Sequence, residues 1–259
     1  MRSRTIAWLA IAVLTLSAAM STDGFAIDLY EIQIYSTETT PRGRLQLELH
    51  SNTTTTASGQ LAKSNLGPYE IRETLEATYG ITDHIELGQY LATAKLENGR
   101  YEYAGSRSKC HFGFGDPETW PVAVGGNVEL DYMRRAAEDN PFSLELRPIV
   151  EKKYKRLWVV GDFAFVKPFN GPGTHQGFTL EPSGLIGYDL FDWVTPAIEY
   201  YADLGPVKSF NTVQEQQHFI FPTVNLYLAP PLELNFGVGF GLTRASNGTI
   251  LKSIVGWTF

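Results

Sequence analysis

The chain has 259 residues, of which 43% are hydrophobic, 13% are aromatic and only 19% are charged, and it contains a single cysteine. This composition is too apolar for an intrinsically disordered protein, and one cysteine cannot form a disulfide framework. The formal net charge of -7 and the isoelectric point near 5.3 argue against nucleic acid as a partner.

The N-terminus has the features of an export signal. Arg2 and Arg4 precede an apolar run over residues 6–20, which is followed by small and polar residues. The run is short for a transmembrane helix, so we predict a signal peptide over residues 1–26. Cleavage fits after Ala19 or after Ala26, and an alternating segment soon after Ala26 favours the second site. An uncleaved anchor in the inner membrane is the alternative.

Beyond the signal, the sequence contains no apolar run of the roughly 18 residues that a transmembrane helix needs. An integral membrane protein would therefore have to be a β-barrel, whose strands alternate between apolar and polar residues. The clearest such segment covers residues 232–242, where apolar side chains share one face and Glu233, Asn235 and three glycines occupy the other. Residues 44–50 and 126–132 alternate in the same way.

About twelve segments show this pattern, which predicts an all-β, antiparallel transmembrane barrel of roughly 10 to 14 strands. The remaining segments cover residues 70–79, 83–92, 103–114, 142–152, 155–167, 177–189, 193–203, 217–228 and 248–259. Each is separated from the next by turn-forming or polar residues, as expected of consecutive strands in such a barrel.

Tight and long connections alternate along the chain. The tight ones, each with an aromatic residue before a short turn, are residues 79–83, 188–192 and 227–231. The longer, polar ones are residues 51–67, 170–175, 205–216 and 243–248. If the N-terminus is periplasmic, the short turns face the periplasm and the long loops face outward. We therefore predict a periplasmic N-terminal segment over residues 27–41 and an outer-membrane barrel over residues 42–259.

The last strand places Val255, Trp257 and Phe259 on one face. A terminal aromatic residue of this kind resembles the assembly signal of Gram-negative outer-membrane barrels. Trp257 and Phe259 are therefore predicted to face outer-membrane lipid and to be recognised by the barrel-assembly machinery. The alternative is a secreted β-sandwich whose aromatic residues fill its core, although sandwich strands are usually shorter.

Four prolines conflict with unbroken strands, since proline lacks the N–H that a ladder inside a sheet needs. They are Pro148, Pro182, Pro196 and Pro222. We predict bulges, strand ends or shifted strand boundaries at these positions.

Charged side chains on the polar faces have to point into the barrel, because charge against hydrocarbon is strongly unfavourable. The alternation predicts a lumen lined by Glu48, Arg72, Glu76, Glu86, Glu129, Asp131, Glu145, Arg147, Glu181, Glu199, Glu233, Asn235 and Lys252. Acids outnumber bases in this set, which indicates a pathway for cations or small polar solutes. A narrow barrel filled by packed ion pairs is the alternative.

Signals for catalysis and cofactors are weak. His50 and Ser51 are the nearest match to the Ser/His pair of outer-membrane lipases, but strand alternation places them on opposite faces. The five histidines lack ligand spacing, Cys110 and His111 form a lone neighbouring pair, and no glycine-rich phosphate loop is present. We therefore predict no catalytic residues, no metal site and no cofactor.

Residues 30–35, 45–50, 79–88 and 144–148, together with the terminal Phe259, resemble a group of poorly characterised Gram-negative outer-membrane proteins. This group is often classed with transporters, or with outer-membrane proteins of phenol-degradation (MetA) pathways. The resemblance implies a barrel in the cell outer membrane rather than a particular activity. A passive channel for small solutes and a non-conducting barrel whose loops bind a partner remain the two main hypotheses, with a lipid-modifying enzyme as a distant third.

Overall fold

The computed structural model describes residues 27–54, 69–96, 99–229, 231–246 and 248–259, so the predicted signal peptide and its cleavage sites lie outside the described residues. Within these ranges the chain forms twelve strands and a short 3-10 helix over Pro172–His175. The strands are β1 (Leu45–Thr54), β2 (Tyr69–Thr82), β3 (Ile85–Leu96), β4 (Tyr101–Phe114), β5 (Ala123–Met133), β6 (Phe142–Tyr154), β7 (Leu157–Pro168), β8 (Thr179–Tyr188), β9 (Val194–Asp203), β10 (Gln217–Ala229), β11 (Leu232–Gly241) and β12 (Thr249–Thr258). No helix in the described ranges is long and apolar enough to cross a membrane.

The twelve strands form one closed antiparallel barrel. Each strand pairs with its neighbours in sequence, and β1 pairs with β12. The closing ladder runs from Gln46 opposite Thr258 to Thr54 opposite Ile250, and the N–H of Phe259 donates to the carbonyl of Leu45 at 2.7 Å. Closure satisfies the backbone groups that an open sheet would leave at its edges. The predicted fold class is confirmed.

The two faces of the wall differ in polarity in the way that the alternation predicts. Leu49 lies between Leu75 on β2 and Val255 on β12, and all three point outward with 41 to 46% of their surface exposed. Their neighbour His50 points inward and is fully buried. A belt of exposed aliphatic and aromatic side chains around a polar interior is the surface of a barrel that faces lipid. The aromatic residues do not form a sandwich core.

The barrel has a short-turn end and a long-loop end, and both names are used below. At the short-turn end β2 and β3 are joined by Asp83 and His84, and β6 and β7 by Lys155 and Arg156. Phe259 and the start of β1 lie at this end as well. The opposite end carries longer loops, among them residues 134–141, 169–178 and 204–216. In outer-membrane barrels the short turns face the periplasm.

All four prolines lie inside strands, at positions where one of the two flanking ladders is interrupted or ends. Pro148 on β6 has no partner on β7, and Pro222 on β10 has none on β11. The ladder between β8 and β9 stops at Ser183 and Ala197, one residue short of Pro182 and of Pro196. A residue in an antiparallel strand directs its N–H and C=O to a single neighbour, so each proline removes bonds on one side while its strand continues.

The N-terminal segment, residues 27–41, is placed differently from the prediction. It lies inside the barrel instead of in the periplasm, with Ile27, Leu29, Ile32, Tyr35 and Thr37 all buried. Leu29 contacts Asn52 near the long-loop end of β1, whereas Pro41 lies against Gly80 near the short-turn end of β2. The segment therefore descends through the lumen and then enters β1. The alternation of residues 30–35 reflects an extended segment that is enclosed on both faces.

Candidate functional site

The candidate site is the lumen together with the N-terminal segment that occupies it. Three carboxylates on three different strands accept hydrogen bonds from backbone N–H groups of this segment. The N–H of Tyr35 donates to Asp162 on β7 at 3.0 Å, and that of Thr40 donates to Glu86 on β3 at 2.5 Å. Both the N–H and the hydroxyl of Thr37 donate to one oxygen of Glu151 at 2.7 Å. Hydrogen bonds to charged acceptors are stronger than neutral ones.

Three wall side chains donate to carbonyl groups of the same segment. Asn52 on β1 donates to the carbonyl of Leu29 at 3.0 Å, and Lys252 on β12 donates to that of Ile32 at 3.3 Å. The Nε2 atom of His111 on β4 lies 3.1 Å from the carbonyl oxygen of Glu38. The wall thus satisfies the backbone of an extended chain with side chains, in the way that a neighbouring strand would do in a sheet.

Two glycines of the wall let the backbone of the segment approach closely. A Cβ at position 113 on β4 would clash with the carbonyl of Thr37, and a Cβ at position 80 on β2 would clash with the carbonyls of Thr40 and Pro41. Glycine is the only residue that leaves this space free. The wall is therefore shaped for the segment at these points as well as bonded to it.

Side chains of the segment pack against three different groups of wall residues. Ile27, Leu29 and Ile32 pack in an apolar cluster with Tyr201, Phe219, Phe221 and Ile250. Tyr30 packs against Ala92, Ala94, Ala104 and Met133. The ring of Tyr35 lies 4.6 Å from the ammonium of Lys109 and 5.3 Å from the guanidinium of Arg147, within the range of cation–π contacts. Its hydroxyl lies 2.8 Å from that of Tyr90.

An outer cavity of about 560 Å³ lies at the long-loop end, above and beside the segment. Among the described residues, ten carboxylates and three arginines line it. The carboxylates are Asp28, Glu31, Glu129, Asp131, Glu138, Asp139, Glu145, Glu181, Asp203 and Glu215. Acidic side chains therefore outnumber basic ones in this recess, and ionised carboxylates in a low-dielectric recess concentrate cations and repel anions.

An inner cavity of about 220 Å³ lies at the short-turn end. It is lined by acidic side chains that include Glu38, Glu86 and Glu233, with Lys109, Lys153 and Lys252 as its lysines among the described residues. The N-terminal segment contributes residues 33–36 and 38–41 to the wall of this cavity and residues 27–31 and 33 to that of the outer one. The segment therefore lies between two polar recesses, one at each end of the barrel.

The side chains predicted to line the lumen point inward, and the structure joins most of them in ion pairs. Arg147 on β6 bonds to Glu145 and, at 3.1 Å, to Asp162. Lys252 bonds to Glu199 on β9, although the two residues are 53 positions apart in sequence. Glu48 and Glu76 both lie close to His50. Glu181 and Asn235 line the outer and the inner cavity, respectively. Whether these residues border a conducting path stays a prediction.

The sequence pattern did not lead us to predict several residues that lie at the centre of the lumen contacts. Arg107 on β4 connects the segment to the wall, because it pairs with Asp28 and Glu31 on one side and lies 3.5 Å from Asp131 on the other. Lys109, two residues further on, bonds to Glu76 at 2.7 Å. Arg107, Lys109 and His111 alternate along β4, so the period-2 pattern of that strand was the signal for an inward face.

Glu48, His50 and Glu76 form the described group whose ligand atoms lie close enough together to hold a metal ion, within 4.8 Å of one another. Two of these groups contact each other, since Nε2 of His50 lies 3.3 Å from Glu76, and Lys109 bonds to the same carboxylate. Nδ1 of His50 has no hydrogen-bond partner among the described residues. Ser51, next in sequence, is on the outward face, so it cannot exchange a proton with His50. His111 contacts Asn127 and Glu38 rather than Cys110. These contacts describe a packed polar interior.

Comparison with known proteins bears on the fold. No family model matches the chain, and no curated protein matches it in sequence. Among solved structures, an outer-membrane channel from Pseudomonas putida F1 matches with a TM-score of 0.64 and 14% identity, over 88% of this chain and 100% of that one. The KdgM porin matches with a TM-score of 0.56 and 10% identity, over 83% of this chain and 99% of that one. The chain shares the fold of these outer-membrane barrels.

Proposed function

We propose that this protein is a passive channel of the cell outer membrane that admits small polar solutes and favours cations. The observation that carries the proposal is the pair of acidic recesses at the two ends of a barrel with an apolar outer belt. The shared fold supports it, because the neighbours with the higher TM-scores are named as a channel and as porins. No described contact carries a proposal of enzymatic activity.

The acidic character of the lumen favours cationic or neutral polar solutes over anionic ones. KdgM has been solved in complex with disordered oligogalacturonate, which is a polyanion. The outer cavity of the present chain carries ten carboxylates against three arginines among its described residues, so it would repel such a ligand. The resemblance to outer-membrane proteins of phenol-degradation (MetA) pathways stays a prediction, and it names no solute.

The second candidate function is a non-conducting barrel that displays its loops to a partner. The observation in its favour is the N-terminal segment, which occupies the lumen between the two recesses and forms the hydrogen bonds described above with six strands. Conductance of the purified protein in a planar lipid bilayer separates the two candidates. Steady single-channel current supports the channel. If no current is measured, either with the N-terminal segment in place or after it has been displaced, the non-conducting barrel is supported.

Neutralising two acids of the outer cavity is expected to lower the preference for cations. In the variant Glu129→Gln/Asp131→Asn, two acidic side chains close to Arg107 are replaced by neutral ones of similar shape, and Arg107 keeps Asp28 and Glu31 as partners. The barrel should therefore fold, since changes in a lumen alter selectivity more than stability. The reversal potential in a salt gradient measures the effect, with Thr93→Ser, which changes no charge, as control. A cation preference that survives the double substitution would contradict the proposal.

The preference for cations is also expected to fall as the pH is lowered from 8 to 6. Glu138 lies in the loop between β5 and β6 at the outer cavity, and burial raises the pKa of its carboxyl to about 7, with Asp28 and Asp139 acting in the same direction. A carboxyl with a raised pKa carries its charge only above that pH, so acidification removes a negative charge from the mouth. Reversal potentials should show this fall in cation preference in the wild type, and Glu138→Gln should reduce it; an unchanged pH dependence in Glu138→Gln would contradict the prediction.

A further inference from the structure

We infer that the lumen is a binding site for an extended peptide, and that the N-terminal segment is its built-in occupant, which closes the barrel. This inference rests in part on the proposed channel function, because closure has a meaning only where a path exists. The peptide site itself rests on contacts alone.

The contacts that hold the segment are directed mainly to its backbone. Asp162, Glu151 and Glu86 accept from three N–H groups, and Asn52, Lys252 and His111 lie within hydrogen-bond distance of three carbonyl oxygens. Recognition of main-chain groups gives affinity for any extended chain, as it does when a peptide adds to the edge of a sheet. These wall groups are well buried, with Asp162 fully buried and Asn52, Glu151 and Lys252 at most 4% exposed.

Side-chain contacts define which extended peptide fits best. The apolar cluster around Phe219 and Phe221 accommodates aliphatic residues near the N-terminal end of the peptide. Arg107 forms an ion pair with an acidic side chain, which in the segment is Glu31. Four positions later, the ring of Tyr35 lies between Lys109 and Arg147. The ligand class is therefore an extended oligopeptide with aliphatic residues, two acidic residues that pair with Arg107 and two tyrosines, followed by small polar residues.

The segment is attached to β1, so its local concentration in the lumen is far higher than that of a free peptide. A free peptide can bind only after the segment has left. Displacement breaks none of the ladders between strands, because the contacts of the segment are made by wall side chains. The same site can therefore be closed by the segment, emptied, or occupied by another peptide.

The first test displaces the segment in the full-length protein. Gly113→Val places a side chain where the carbonyl of Thr37 lies, so the segment should leave this part of the lumen. Single-channel conductance in planar bilayers should rise severalfold above that of the wild type. The control is Gly184→Val on β8, where the added Cβ meets only the carbonyl of Val160, at 3.1 Å. Equal conductance of Gly113→Val and wild type, both folded by circular dichroism, would overturn closure by the segment.

The second test measures peptide binding to a variant that lacks residues 27–38 and is checked for folding by heat-modifiable migration on gels. A fluorescent synthetic peptide with the sequence of residues 27–38 should bind to it, as followed by anisotropy, and should reduce its current. Methylation of the two amide nitrogens at Tyr35 and Thr37 should weaken binding at least about tenfold, since each loses a hydrogen bond to a buried carboxylate.

Two controls make this test specific. The same peptide methylated at Ile34 and Ser36, whose N–H groups have no hydrogen-bond partner among the described residues, should bind nearly as well as the unmodified one. Gly113→Val in the deletion variant should abolish binding. If the peptide binds but the deletion variant passes no current, the peptide site is supported and the channel function is refuted. If the deletion variant passes current but does not bind the peptide, the peptide site is refuted and the channel function is supported.

Discussion

Replacing Lys252 by methionine is expected to lower the free energy of unfolding by about 3 to 5 kcal/mol, because the change leaves a carboxylate buried without its cation. The ammonium of Lys252 bonds to Glu199, and the side chains of the two residues are only 1% and 2% exposed. After the substitution, the hydroxyl of Tyr201, which donates to Glu199 at 2.7 Å, would be the nearest remaining donor. The loss should appear as a lower midpoint of urea unfolding in lipid vesicles, followed by tryptophan fluorescence.

The double variant Lys252→Met/Glu199→Gln is the matched control. It removes both charges, so no carboxylate is stranded, and most of the lost stability should return. The difference between the single and the double variant isolates the unpaired charge from the loss of packing. If both variants unfolded at the same urea concentration, the ion pair would not be the stabilising element that its burial indicates.

Replacing Leu49 by arginine is expected to lower the free energy of unfolding by about 2 to 4 kcal/mol, because it places a charge on the lipid face near the middle of the barrel wall. Leu49 lies between Leu75 and Val255 in the apolar belt, with 41% of its surface exposed. The size of this loss shows whether the surface around position 49 faces lipid or water, because an exposed arginine on a protein in water would change stability little. Unfolding in vesicles of phosphatidylcholine provides the measurement.

Leu49→Met is the control for this prediction, because it keeps the position apolar and nearly conserves its volume. Its unfolding midpoint should stay close to that of the wild type. If arginine at position 49 were tolerated as well as methionine, the belt would not face hydrocarbon and the membrane assignment of the barrel would be wrong.

The wall of the barrel was predictable from the sequence for a simple physical reason. A wall that separates lipid from a polar interior imposes a period of two on every strand, so each strand carries its own signal. The twelve strands follow the predicted segments, and lumen residues such as Glu76 and Glu129 alternate with exposed neighbours such as Leu75 and Leu130. The inward face of β4 was missed even though Arg107, Lys109 and His111 show the same period.

The partners of the lumen residues could not be predicted in the same way. Glu199 and Lys252, or Arg147 and Tyr35, are brought together by the closure of the barrel and by the register of strands that are far apart in sequence. An alternating pattern gives the face on which a side chain lies, but it contains no information about what stands across the lumen. The pairing of charges in the interior is therefore a property of the closed barrel.

The sequence by itself determined the strands, the two faces of the wall and the acidic character of the interior, because each of these is encoded in local alternation. Only the tertiary structure decided where residues 27–41 lie. An extended segment outside a barrel and one inside it have the same local pattern, since both alternate. The difference depends on Asp162, Glu151, Lys252 and Gly113, which are distant in sequence and meet the segment only when the barrel has closed around it.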